Sequence, residues 1–150
     1  MQEQNARPSL GYLALSVRDP ARSADFYCRL PGLARTGAPF ALPGTCETVW
    51  LRAGTVYLAL IAASDGASGL PVRTGVGLYP RGFHHMCLSV ADIEPFYHDV
   101  CAQGFAIERP LQTGADGNRQ FWLRDPDGYP VELMELDPAG LQLADRRAST

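Results

Sequence analysis

His85 and Glu132 are the residues of this chain whose types and surroundings best suit chemistry. Glu132 lies between apolar Val131 and Leu133 in a strand-like run, so alternation sends its carboxylate to the opposite face from its neighbours. A carboxylate there is costly unless it is paired or bound to a cation. His85 begins a second such run, His85–Val90, in which Cys87 and Ser89 share its face. One imidazole and one carboxylate suit a divalent ion such as iron, manganese, nickel or zinc. The same two groups also suit each other as hydrogen-bond partners in a metal-free site. Tyr12 is the third candidate, because it occupies the place of His85 in an earlier copy of the same segment. Gly11-Tyr12-Leu13-Ala14-Leu15-Ser16-Val17-Arg18-Asp19 recurs as His84-His85-Met86-Cys87-Leu88-Ser89-Val90-Ala91-Asp92. Leu15, Ser16, Val17 and Asp19 are each repeated in the second copy.

The elements that must position these residues also come in two sets. Strands are expected at Tyr12–Val17 and His85–Val90, with Leu13, Leu15 and Val17, and Met86, Leu88 and Val90, packing under helices. Asp19 followed by Pro20 is an N-terminal helix signal, and that helix is expected to reach about Leu30 before Pro31-Gly32. Asp92 caps the second helix, which is expected to end near Gln103-Gly104. Glu47–Arg52 should turn at Ala53-Gly54 into Thr55–Ala62. Arg119–Arg124 should turn through Asp125-Pro126-Asp127-Gly128 into Tyr129–Leu136. Phe40–Leu42 and Ile107–Leu111 each add a strand, giving two β-α-β-β-β modules. The expected organisation is one α+β domain over 1–150: module 1 at about 10–63, a linker at 64–82, module 2 at about 83–136, and a polar tail at 137–150 with a short helix around Leu141.

Composition narrows the function classes. A net charge of −3 over 150 residues does not provide the basic stripe of a nucleic-acid surface. All 13 basic residues are arginine, which excludes a lysine Schiff base and a lysine-bound pyridoxal cofactor. Met1 to Ser9 has no apolar h-region, and the longest apolar run, Val56 to Ala63, is too short to span a bilayer. A cytoplasmic location is therefore expected. Cys28, Cys46, Cys87 and Cys101 contain no C-x-x-C pair and read as buried free thiols. There is no G-x-S-x-G elbow and no P-loop, and Gly75-Val76-Gly77 lacks the third glycine of a dinucleotide fingerprint.

The duplicated pattern resembles the vicinal oxygen chelate family, which includes glyoxalase I, extradiol dioxygenases, fosfomycin-resistance enzymes and bleomycin-binding proteins. The resemblance spans about Leu10 to Leu136. It rests on Ser16-Val17-Arg18-Asp19, Asp25-Phe26-Tyr27 with Pro31-Gly32-Leu33, His85 to Val90, and Asp125-Pro126-Asp127-Gly128-Tyr129-Pro130-Val131-Glu132-Leu133. It implies a curved mixed sheet around a cavity, a small-molecule substrate or ligand, and a homodimer. It also implies a divalent metal held by the first and last strands of each module, which here supply His85 and Glu132, with Tyr12 as ligand or substrate-positioning group. The implied activities are those of a metal-dependent dioxygenase, lyase or isomerase, with Glu132 and Tyr12 as the catalytic residues. The alternative is a metal-free protein that sequesters an antibiotic or toxin.

Module 1 departs from the family pattern. Tyr12 replaces histidine, and the 73-residue offset places Ala59 opposite Glu132, so a four-ligand site of the glyoxalase I type is not expected. His84, adjacent to His85 on a strand, should point to the other face, and His98 should face solvent. Trp50, Tyr57, Phe121 and Trp122 are candidates to stack on an aromatic ligand, and Arg52 and Arg124 to bind an anionic group.

Overall fold

The computed structural model describes residues 10–37, 46–63 and 83–143. The chain divides into two compact units, Met1–Gly69 and Leu70–Thr150. In the first, β1 (Tyr12–Val17) leads into α1 (Pro20–Cys28), followed by β2 (Leu33–Arg35), β3 (Thr48–Ala53) and β4 (Val56–Ala62). In the second, β5 (Met86–Ser89) leads into α2 (Ile93–Ala102), then β6 (Ile107–Thr113), β7 (Arg119–Arg124) and β8 (Pro130–Glu135). Both units are therefore β-α-β-β-β, and the class is α+β. The expected strand at Phe40–Leu42 and the linker at 64–82 lie outside the described residues. Directly after the helix of the first unit comes the short strand β2, Leu33–Arg35.

The sheets share one topology. Their orders are β1-β4-β3-β2 and β5-β8-β7-β6, with the first and last strand of each unit parallel and the remaining pairs antiparallel. The register repeats as well. Ala14 faces Ala59 across β1 and β4, and Cys87 faces Glu132 across β5 and β8, each residue displaced by the offset that relates the sequence copies. A one-residue slip would turn Glu132 onto the helix-covered face, so this register is what keeps the carboxylate out of the apolar core.

Each helix covers one face of its own sheet. In the first unit Ala24 and Tyr27 of α1 are fully buried with Val17, Leu51 and Leu60. In the second, Ile93 and Val100 of α2 are buried with Phe121, Leu123, Val131 and Leu133, and Tyr97 packs edge-on against Phe121 at 5.0 Å between ring centroids. At about 25 cal/mol per Å² of apolar surface buried, these helix-side layers are the main source of stability.

The helix starts differ. The Asp19 carboxylate accepts from Arg22 N at 2.9 Å, as expected of an N-cap. Asp92 makes no such bond; the Ile93 amide donates instead to Glu135 Oε2 at 2.8 Å, so a carboxylate from β8 caps α2. The helix expected to reach Leu30 stops at Cys28, and Arg29 forms the C-cap.

In the Asp125–Gly128 turn the Asp125 carboxylate accepts from both Asp127 N and Tyr129 N, and Gly128 takes the positive φ of 90° that closes it. This turn sets where β8 starts and hence where Glu132 falls. Beyond β8 the chain docks back on the β6–β7 turn. Fully buried Asn118 accepts from Asp137 N at 2.8 Å and donates to Asp116 Oδ2 and Gln142 Oε1. A helical turn covers 141–143, where a short helix was expected.

Candidate functional site

In the second unit the sheet face turned away from α2 carries the candidate residues. His85 Nε2 lies 3.1 Å from Glu132 Oε2, with the carboxylate side chain 6% exposed and the imidazole 30%. Trp122 is in register with Glu132 on the neighbouring strand, and its ring meets the His85 ring at 4.8 Å in an edge-on arrangement. Gln120 accepts from Trp122 Nε1 at 2.8 Å and thereby fixes the indole. Cys87 flanks Glu132 on the other side. Although the residue is exposed, partial burial of its thiol, reinforced by the negative charge and hydrogen bonding of Glu132, pushes the thiol up to about 12, so it is a neutral donor rather than a thiolate.

The electrostatics of His85 are mixed. Desolvation is the largest effect and lowers its pKa, Glu132 pulls it upward, and His84 pushes it down; the net direction is below the usual histidine value. The imidazole is therefore neutral at pH 7 and holds one ring proton.

His84 departs from expectation. Instead of pointing to the opposite face, its Nδ1 lies 2.6 Å from His85 Nδ1. The strand begins only at Met86, so the alternation that governs β5 does not reach residues 84 and 85. His98 is exposed, as expected, with Glu94 one turn away.

The corresponding face of the first unit is aromatic. Tyr12, 56% exposed, meets Trp50 edge-on at 5.0 Å, and Trp50 meets Tyr57 at 6.5 Å. Ala59, in register with Trp50 on one side and Ala14 on the other, takes the position that Glu132 takes between Trp122 and Cys87. This face offers hydrogen bonding from phenol and stacking from rings.

Two expected ligand-contacting residues are otherwise engaged. Phe121 is fully buried under α2 and belongs to the core. Arg124 bonds Glu108 Oε1 at 2.6 Å and the Gly128 carbonyl at 2.9 Å, so it closes a turn. Cys87 and Cys101 are exposed, and Cys28 and Cys46 half-buried, contrary to the expectation of buried thiols. Arg109 and Gln120 were not singled out by the sequence. Arg109 lies over the Trp122 ring at 5.3 Å, and the only signal for it was the Arg-Pro step inside an otherwise strand-like run.

For a divalent ion, the donor pair has a suitable spacing. Two ligands at about 2.1 Å from an ion, at right angles, are about 3.0 Å apart. The observed 3.1 Å between His85 Nε2 and Glu132 Oε2 matches two adjacent coordination positions. Among the described residues no group of three His, Cys, Asp or Glu side chains could hold a metal, so this pair supplies only part of a coordination shell. No helix among the described residues is long and apolar enough to cross a membrane.

Comparison with known proteins agrees with the architecture. A family model described as the Glyoxalase/Bleomycin resistance protein/Dioxygenase superfamily matches residues 9–133. The chain is 29% identical over 154 residues to a lactoylglutathione lyase of Pseudomonas putida, covering 83% of each protein. It is 26% identical over 150 residues to glyoxalase I of Saccharomyces cerevisiae, covering 87% of this chain and 46% of the yeast protein. Among solved structures it is similar to a glyoxylase/bleomycin resistance protein/dioxygenase domain from Frankia sp. EAN1pec, with a TM-score of 0.69 at 18% identity, covering 88% of this chain and all of that one. TioX from Micromonospora sp. ML1 gives a TM-score of 0.62 at 23% identity, covering 85% and 98%. Those structural likenesses speak for the fold, and the family match over most of the sequence settles the kinship: the chain belongs to the Glyoxalase/Bleomycin resistance protein/Dioxygenase superfamily.

Proposed function

We propose that this protein is a metal-dependent enzyme of the glyoxalase and dioxygenase type, acting on a small oxygenated organic substrate. The observation that carries this reading is the His85–Glu132 pair, whose 3.1 Å spacing suits two adjacent metal ligands. When bound there, a divalent ion would act as a Lewis acid on neighbouring substrate oxygens.

The chain's own groups have definite tasks in this reading. To offer Nε2 as a donor, His85 must carry its proton on Nδ1, and the facing Nδ1 of His84 is placed to accept it at 2.6 Å. His84 would hold that tautomer once an ion occupies Nε2; without an ion, Nε2 keeps the proton and donates it to Glu132. Trp122, held by Gln120, forms an apolar wall beside His85 that excludes water from one side. Glu132 holds the ion and is the candidate base toward a substrate proton. Tyr12, from the first unit, is proposed as a ligand or as a substrate-positioning hydrogen-bond donor. Ala59 and the rest of β4 argue against transferring lactoylglutathione lyase activity from the relatives named above, because that strand offers no carboxylate or imidazole. A cytoplasmic homodimer with a single domain made of both modules completes the proposal.

A second reading is favoured by the same contact. The hydrogen bond between His85 and Glu132 satisfies both groups without an ion, which suits a metal-free sequestering protein. Metal analysis of the purified protein, with His85→Ala and Glu132→Ala, separates the two. Stoichiometric metal that is lost in both variants supports the enzyme. Absence of metal, together with a melting temperature unmoved by iron, manganese, nickel or zinc, refutes it.

A further inference from the structure

We infer that Arg109 is the substrate-selecting residue of this face, and that the natural ligand carries a carboxylate. The inference rests on the reading of that face as the binding site. Three observations carry it.

The first is position. Arg109, Trp122, Glu132 and Cys87 form one row across β6, β7, β8 and β5. The Arg109 guanidinium carbon lies 5.3 Å from the centre of the Trp122 ring, and the His85 ring lies 4.8 Å from the same centre. A cation and the imidazole–carboxylate pair therefore border the same indole.

The second is backbone geometry. The β6–β7 register shifts on both sides of Arg109, between Ile107 and Arg109 and between Arg109 and Gln112. Bulges of this kind re-aim a side chain. Here they set the guanidinium over the indole, where cation–π attraction holds its plane without using its N–H donors.

The third is its freedom from ion pairs. Arg35 is engaged by Asp25, Arg119 by Glu94 and Arg124 by Glu108. Arg109 makes no ion pair among the described residues and is exposed. A guanidinium held by a ring face, with no donor spent among the described residues, presents a planar fork that matches the two oxygens of a carboxylate. One guanidinium balances one negative charge, which favours a carboxylate over a phosphate dianion.

Isothermal titration with a matched pair of probes tests this. 3,4-Dihydroxybenzoate has vicinal oxygens at one end, a flat ring, and a carboxylate at the other end; 3,4-dihydroxybenzamide is its neutral counterpart. Titrations run without oxygen on the purified protein, on Arg109→Gln and on His85→Ala. The expected result is about tenfold tighter binding of the acid than of the amide, the difference between a charge-assisted and a neutral hydrogen bond, abolished in Arg109→Gln. Circular dichroism of Arg109→Gln should be unchanged, because the residue is exposed.

Equal binding of acid and amide by the unaltered protein, with both weakened by His85→Ala, overturns the role of Arg109 and leaves the site standing. An acid preference that Arg109→Gln removes but His85→Ala leaves untouched, in affinity as well as ratio, supports the carboxylate subsite and overturns the His85–Glu132 reading. An acid preference that survives Arg109→Gln, or no binding of either probe, overturns the inference.

Discussion

Removing His85 strands a buried carboxylate, and this can be measured without knowing the substrate. In protein freed of metal by a chelator, Glu132 is 6% exposed and has the His85 Nε2–H as its partner at 3.1 Å, with the Cys87 thiol as a weaker second donor. A hydrogen bond to a charged acceptor contributes roughly 1.5–3 kcal/mol. His85 is 30% exposed, so water screens part of the interaction and can enter the vacated space; His85→Ala should therefore cost about 1.5–2 kcal/mol, near the lower end. Glu132→Ala should cost less, about 1 kcal/mol, because the half-exposed imidazole regains water while the buried charge is gone. The double variant should then be less destabilised than the two single ones together, with a coupling of about 1 kcal/mol. Urea unfolding at neutral pH, followed by circular dichroism in the presence of the chelator, gives all four values. Additivity within about 0.3 kcal/mol, or a larger loss for Glu132→Ala than for His85→Ala, would refute the reasoning.

Three further outcomes follow from the geometry. Ala59→Glu places a carboxylate at a position 1% exposed with no imidazole in register, and should lower stability by about 3 kcal/mol; an unchanged thermal midpoint would contradict the unequal roles of the two sheet faces. Gly140→Ala sets a methyl group against the Asn118 amide and 3.1 Å from the Asp137 carbonyl, and should cost about 1–3 kcal/mol in urea unfolding while the Asn118-centred docking loosens. Hydrogen bonding, first from the Asn118 side chain, holds the Asp116 carboxyl below its ordinary value of 3.8, so its contribution is present above that value and is lost as pH falls through the lower folded-state pKa. Asp116→Asn should flatten the acid limb of the stability profile below about pH 4, and an acid limb identical to that of the unaltered protein would count against it.

Local pattern was enough for most of the architecture, and the reasons are local. Alternation in Leu13–Leu15–Val17 and its copy marked the buried faces, while Asp19-Pro20 and Asp125-Pro126-Asp127-Gly128 carry their own backbone geometry. The repeat then made register legible, since one offset maps Ala14 and Ala59 onto Cys87 and Glu132. From this came the lopsided ligand content of the two units: Tyr12 and Ala59 in one, His85 and Glu132 in the other.

Tertiary structure decided what depends on departures from regular strand geometry or on distant partners. His84 joins His85 because β5 starts one residue after the pair, so strand alternation never applied. Arg109 reaches Trp122 because β6 is bulged on both sides of it, and no sequence periodicity marks a bulge. Arg124 was withdrawn from ligand binding by Glu108, and Phe121 by α2, both through contacts between separate elements. The residue types that could do chemistry were written in the sequence. Which of them keep their hydrogen-bonding capacity open to a ligand was fixed only by the neighbours the fold gave them.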